Sequence, residues 1–324
     1  MTKRRKLFLG RILFIILLSL FMTAFGACDS GDDSDSSDDS DFGQDIPDDD
    51  DTANDDDAAD DDLFSDDDIN DDADDDLPET GTRYPIVLAH GFMGWGYAQG
   101  FSNFYKVLDH LEANGFEVFE PWVSSINSIS VRAQQLGSKI DAKYPGQRVN
   151  IIAHSQGGLD ARYLISTLGW GDRVASLTTI STPHQGTHLA DVALNIVPNI
   201  GENIIDWILE LFGMDWDGLY ELTNEFVVNE FNPANPDDPD VAYYSFNGNG
   251  ENIFFALMPT HYLLRLYEGC NDGVIGCVSS TYATHLGEIP EDHFGIVGHP
   301  FGLINFNWLD FYLDYAEFLR LQGF

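Results

Sequence analysis

The segment His154-Ser155-Gln156-Gly157-Gly158 stands where an apolar run, residues 149–153, gives way to a stretch with helical periodicity. A serine in so tight a strand-to-helix turn presents its hydroxyl outward, and the close approach of strand and helix backbones demands small side chains two positions to either side. Ala153 and Gly157 meet that demand, with Ala153 in a place more often held by glycine. The competing role for such a serine is helix N-cap; the strand and helix context favours a nucleophile. Serine attacks only when a base takes its proton and donors receive the developing oxyanion. The turn supplies one donor, the backbone N–H of Gln156, and the loop after an earlier strand supplies the second. His90-Gly91-Phe92-Met93-Gly94 follows the first apolar run, which makes the N–H of Phe92 the second candidate. His90 itself reads as a structural hydrogen-bonding residue.

In chains built around this turn the order is nucleophile, acid, histidine. Asn271-Asp272-Gly273-Val274-Ile275 places a carboxylate in a turn, where it can orient an imidazole. An ordinary Asp-Gly turn is the alternative. Three of the nine histidines lie beyond Asp272. His293, in a loop running toward the last helix, is preferred as the base, because a catalytic histidine needs a loop close to the nucleophile. His285 and His299 are the remaining candidates. Asp292 reads as a solvated neighbour.

These residues need a scaffold. Residues 85–89 form a continuous apolar run of the kind buried on both faces of a parallel sheet. Further strands fit residues 117–119, 149–153, 174–180 and 242–246, and helices fit 104–114, 129–144, 158–168 and 303–321. Strand and helix in alternation imply right-handed crossovers and a mostly parallel α/β sheet. Residues 195–218 interrupt the alternation with a strongly apolar stretch that reads as core or as an inserted cap.

The N-terminal part does not belong to that scaffold. Lys3, Arg4, Arg5 and Lys6 precede an apolar run that ends at Ala27, the pattern of an export signal over residues 1–27. Phe25-Gly26-Ala27-Cys28 resembles a bacterial lipobox, which implies lipidation of Cys28, anchoring to the cell envelope, and an uncleaved anchor as the alternative. Residues 28–79 carry 26 Asp and one Glu with no Lys or Arg, so they cannot bury enough surface to order themselves and read as an extended linker. The folded part, 80–324, retains a charge of about −18 out of a net −40. Such a surface repels phosphate and excludes nucleic acid as a partner. With Cys28 lipidated, Cys270 and Cys277 remain as an even pair in an oxidising compartment and are expected to form a local disulfide around Asp272.

Taken together, Tyr84-Pro85-Ile86-Val87-Leu88-Ala89-His90-Gly91, the serine turn, Thr182-Pro183-His184-Gln185-Gly186-Thr187, Tyr243-Tyr244-Ser245 and Asn271-Asp272-Gly273-Val274 resemble, in order, the true-lipase family of Pseudomonas and Burkholderia. The resemblance spans nearly the whole folded part. It implies an α/β-hydrolase fold with helices on both faces of the sheet and a movable lid around residues 196–217. It also implies Ser155, Asp272 and His293 as a catalytic triad, with Phe92 and Gln156 as oxyanion donors. The family holds a structural calcium partly through an Asp two residues after the catalytic histidine. Here that place is Gly295, and residues 252–263 contain no Asp, so no metal or other cofactor is expected. The family disulfide joins a distant cysteine to one just after the acid; Cys277 matches, whereas Cys270 implies a relocated bridge. The need for a folding chaperone stays open. The expected activity is hydrolysis of acyl esters, with apolar residues Phe92, Met93 and Trp95 near the mouth favouring a long acyl chain. Carboxylesterase, polyester depolymerase and lipid acyltransferase activities fit the same residues. A tethered binding protein on an inactive scaffold is the reading from another class, and the complete ordered triad argues against it.

Overall fold

The computed structural model describes residues 78, 80–92, 102–194, 216–250, 253–299 and 306–324, all within one compact unit, Leu63–Phe324. The export signal, Cys28, nearly all of the acidic linker, Met93, Trp95 and residues 195–215 of the expected cap lie outside the described residues.

Six parallel strands form one sheet in the order β2-β1-β3-β4-β5-β6. They are β1 (Ile86–Ala89), β2 (Val118–Phe119), β3 (Val149–His154), β4 (Val174–Ile180), β5 (Ala242–Gly248) and β6 (Thr284–Ile289). The helices are α1 (Val107–Ala113), α2 (Ile129–Lys143), α3 (Gln156–Ser166), α4 (His188–Ala193), α5 (Trp216–Tyr220), α6 (Asn224–Phe226), α7 (Asn232–Ala234), α8 (Met258–Tyr267), α9 (Cys277–Ser280) and α10 (Trp308–Leu321).

Successive strand residues point to opposite faces, and β1 shows what that does to the core. Ile86 and Leu88 pack with Val107 and Leu111 of α1 and with Phe311, Tyr312 and Tyr315 of α10. Val87 and Ala89 pack on the other face with Leu136 and Ile140 of α2 and Leu164 of α3. All four β1 residues are buried because both faces are covered. This is the α/β-hydrolase arrangement that the sequence implied.

The expected strands and helices are present to within a few residues at their described ends, and further elements join them, the short helices α4, α5, α6, α7 and α9 among them. Strand β6 was not anticipated: Thr284-His285-Leu286-Gly287-Glu288-Ile289 is mostly polar, and as an edge strand it buries only Ile289 fully. Helix α8 was also unforeseen, and it leads directly into the Asp272 loop.

Candidate active site

Ser155 follows the last residue of β3 and precedes the first residue of α3, in the crevice at the carboxyl ends of the strands where parallel sheets place ligands. Its backbone is strained, with φ 57° and ψ −134°, a region that non-glycine residues enter only when surrounding structure holds them there. The holding groups are visible. Ser155 N–H donates to the Ile180 carbonyl at 3.0 Å, and the Thr182 hydroxyl donates to the Ser155 carbonyl at 2.8 Å. A Cβ on Gly157 would lie 2.4 Å from the Ala89 carbonyl oxygen, so only glycine lets α3 approach β1 so closely. A Cβ on Gly91 would meet Ser155 Cβ at 2.5 Å, so the loop after β1 passes directly over the serine. Phe92 follows that glycine and Gln156 follows the serine, so both residues adjoin this contact.

Beneath that loop lies a pair that the sequence reading missed. Arg132 of α2 is fully buried and its Nε donates to Asp160 Oδ2 of α3 at 2.7 Å. Its Nη2 donates to the carbonyl oxygens of His90 and Gly91 at 2.7 and 3.2 Å, and its Nη1 to Ser124 O at 2.5 Å. In a trans peptide the carbonyl and the following N–H point in opposite directions. Drawing the Gly91 carbonyl toward the guanidinium therefore turns the Phe92 N–H the other way. Burial pushes the Asp160 carboxyl up to about 7 against the lowering effect of Arg132. A signal existed in the sequence: Arg132 lies four and eight residues before Leu136 and Ile140, on the buried stripe of α2.

Asp272 and His293 are brought together from the loops after α8 and β6. His293 Nδ1 donates to Asp272 Oδ2 at 2.7 Å, and both residues are buried. Asp272 Oδ1 accepts from the N–H groups of Val274 and Ile275 at 2.8 and 2.7 Å, and its backbone carbonyl accepts from His293 N–H at 2.9 Å. The carboxylate thus has donors on both oxygens, and the bond at Nδ1 leaves Nε2 as the imidazole nitrogen that can take a proton. Gly273, at φ 90°, makes the turn. Cys270 and Cys277 are disulfide-bonded across the base of this loop, with Cα atoms 5.4 Å apart. The Ser155 hydroxyl makes no hydrogen bond to His293 here. The ring of His154, the residue before Ser155, has its centroid 4.5 Å from that of His293. Catalytic hydrogen bonds often tighten only when substrate binds.

The other candidates separate cleanly. His285 sits exposed on edge strand β6 beside the Ser245 hydroxyl, 3.2 Å away. His299 is buried and held to the Asn103 backbone, with burial lowering its pKa to about 4. His90 is structural: its Nδ1 bonds the Gly91 carbonyl at 2.9 Å and its Nε2 accepts from Val123 N–H at 3.1 Å. Burial, assisted by Arg132, lowers its pKa to about 4. The expectation for Asp292 needs correction. It is buried rather than solvated, and its carboxylate accepts from the N–H groups of Phe254, Phe294 and Gly295, tying down the loop that carries His293. At Gly295, the family's calcium position, a Cβ would lie 2.7 Å from Glu291 Oε2, the end of a flexible side chain. Among the described residues the one cluster of potential metal ligands is Cys270, Cys277 and Glu288, and its two sulfurs are joined in the disulfide.

Residues 85–235 match the family model described as palmitoyl protein thioesterase. The chain is 30% identical over 293 residues to the triacylglycerol lipase of Pseudomonas fragi, covering 75% of this chain and 98% of that one. It is also 30% identical over 243 residues to triacylglycerol lipase 2 of Saccharomyces cerevisiae, covering 66% and 72%. Among solved structures, mature Bacillus licheniformis lipase BlEst2 superposes with a TM-score of 0.58 at 25% identity, over 69% of this chain and 91% of that one. Staphylococcus hyicus lipase shares the fold, with a TM-score of 0.56 at 20% identity over 76% of this chain and 98% of its own. A parallel sheet of this topology, a strained serine at its carboxyl edge and a match along nearly the whole Pseudomonas relative lead to one conclusion: the chain belongs to the triacylglycerol lipase family and is a carboxylic ester hydrolase of the lipase type.

Proposed function

We propose that the protein hydrolyses long-chain acyl esters through an acyl-enzyme on Ser155, with His293 as base and Asp272 orienting it. The observation that carries this reading is the buried Asp272–His293 pair, at 2.7 Å, on the same edge of the sheet as the strained serine. Ser155 Oγ attacks the ester carbonyl as its proton passes to His293 Nε2. The N–H groups of Phe92 and Gln156 receive the oxyanion. His293 then protonates the leaving alcohol, and a water, deprotonated by the same imidazole, releases the acid. Asp272 keeps its hydrogen bond to Nδ1 and stabilises the imidazolium. The chemistry uses protein groups alone and needs no calcium. The enzyme is exported and held to the envelope by lipid on Cys28, with the acidic segment as a spacer; substitution of Cys28 by Ala abolishes processing and anchoring together on this reading.

The test is hydrolysis of emulsified triacylglycerol and of soluble p-nitrophenyl esters of increasing chain length, by native protein and Ser155→Ala, with and without chelator. Serine-dependent turnover that rises with chain length and ignores chelator supports a calcium-independent lipase. Turnover confined to short soluble esters identifies a carboxylesterase instead, and no turnover on any ester leaves the binding-scaffold reading. Because residues 85–235 match a thioesterase model, palmitoyl-CoA belongs in the same series: preference for it over the oxygen ester overturns the lipase assignment.

A further inference from the structure

His154, the residue before the nucleophile, takes no part in the reaction as written above. Its side chain nonetheless occupies the centre of the site. It is 7% exposed, its ring stands 4.5 Å from that of His293 at 44°, and its Nε2 has no hydrogen-bond partner. Buried polar atoms are almost always satisfied, so an unpartnered ring nitrogen beside the reacting groups asks for a ligand. His154 and His293 line one cavity of about 40 Å³ together with Gly91, Phe92 and Phe294. That volume admits a water. Burial first, then the nearness of His293 and His299, holds the His154 pKa well below the ordinary imidazole value. The ring therefore stays neutral.

We propose that His154 Nε2 is the second acceptor for the water that cleaves the acyl-enzyme. A water can give its two hydrogens to two acceptors, and His154 and His293 line the same small cavity with their ring centroids 4.5 Å apart. One hydrogen points to His293 Nε2 and the other to His154 Nε2, which aims an oxygen lone pair at the acyl carbonyl. The water oxygen then bonds to the carbonyl carbon while its proton passes to His293, and the carbonyl electron pair moves to the oxyanion. Collapse of that intermediate expels Ser155 Oγ, which recovers the proton from His293, and the free acid leaves. His154 gains and loses no proton; it orients the nucleophile of the second step.

This inference rests on the acyl-enzyme reading, and one experiment separates the two. Native protein, His154→Phe and His154→Gln are compared by rapid mixing with a p-nitrophenyl ester, after fluorophosphonate labelling of Ser155 has been measured in each. In His154→Phe, acylation persists and deacylation slows. The expected result is a burst of one nitrophenol per labelled serine, a kcat about tenfold lower, and a KM lower in proportion, so that kcat/KM stays within about twofold. His154→Gln, whose amide oxygen can accept from water, recovers part of kcat. A loss of kcat/KM equal to that of kcat, without a burst, overturns the proposal in favour of a structural role, as does native deacylation in His154→Phe. Absence of label on native Ser155 removes the acyl-enzyme reading itself.

Discussion

The two halves of the site are built in different ways. The half proposed to carry the nucleophile, Ser155 with the Phe92 and Gln156 N–H groups, is assembled from β1, β3 and α3, with glycines where backbones meet and a buried Arg132–Asp160 pair beneath. Its geometry is held by strain and by groups that cannot move without exposing a charge to an apolar interior. The acid–base half, Asp272 and His293, sits on loops after α8 and β6. It is secured by hydrogen bonds to backbone N–H groups, by the Asp292 carboxylate and by a disulfide. A platform built on the sheet thus faces a base carried on loops. Damage to the two halves should have different signatures.

The largest effect is expected on the loop side. Asp272→Asn keeps the side-chain shape but donates where it should accept, leaving His293 in the wrong tautomer; kcat is expected to fall about 10⁴-fold with little loss of thermal stability. A loss under about tenfold would mean that another carboxylate orients the histidine. On the platform side, Arg132→Met removes the group that turns the Phe92 peptide and strands a buried carboxylate. Stability should drop by about 3–5 kcal/mol and kcat by about a hundredfold. The double variant Arg132→Met/Asp160→Leu sharpens the contrast, because it should regain the stability, measured by urea unfolding, and leave kcat low. Recovery of both together would reduce the pair to a packing role.

Smaller effects separate the halves by pH and by redox state. His299 is neutral when folded, with its pKa lowered from 6.5 to about 4. Its contribution is fully present above pH 6.5 and is lost as pH falls toward 4, because the unfolded chain takes up the proton first. Acidification over that window should cost the native protein about 2–3 kcal/mol through this group, and His299→Gln should show a correspondingly flatter stability profile. An unchanged slope would show that the ring is solvated in solution. Replacing Cys270 and Cys277 together by Ser should lower stability by about 2 kcal/mol. Because the bridge closes the base of the Asp272 loop, kcat should fall more than KM changes; an intact kcat would make the disulfide a purely global constraint.

The same division explains what could be read in advance. The serine turn is legible because strand, nucleophile and helix are contiguous and steric demands act within five residues, Ala153 to Gly157. Asp272 and His293 followed from chain order and loop context, which are weaker cues, and the structure pairs them. Arg132 escaped notice because a lone arginine in an amphipathic helix ordinarily faces water; its partner Asp160 lies 28 positions away and its acceptors are backbone carbonyls. Asp292 was misjudged because its partners, the N–H groups of Phe254, Phe294 and Gly295, are created only by tertiary folding. Strand β6 lacked an apolar run because an edge strand can afford polar residues on its open side.

The most direct test is reaction of the native protein with a fluorophosphonate, followed by peptide mapping of the adduct. One adduct on Ser155, lost in His293→Ala and slowed in Asp272→Asn, is the result predicted for a serine activated by this pair. An unlabelled Ser155 in folded native protein, or labelling indifferent to His293, would contradict the account.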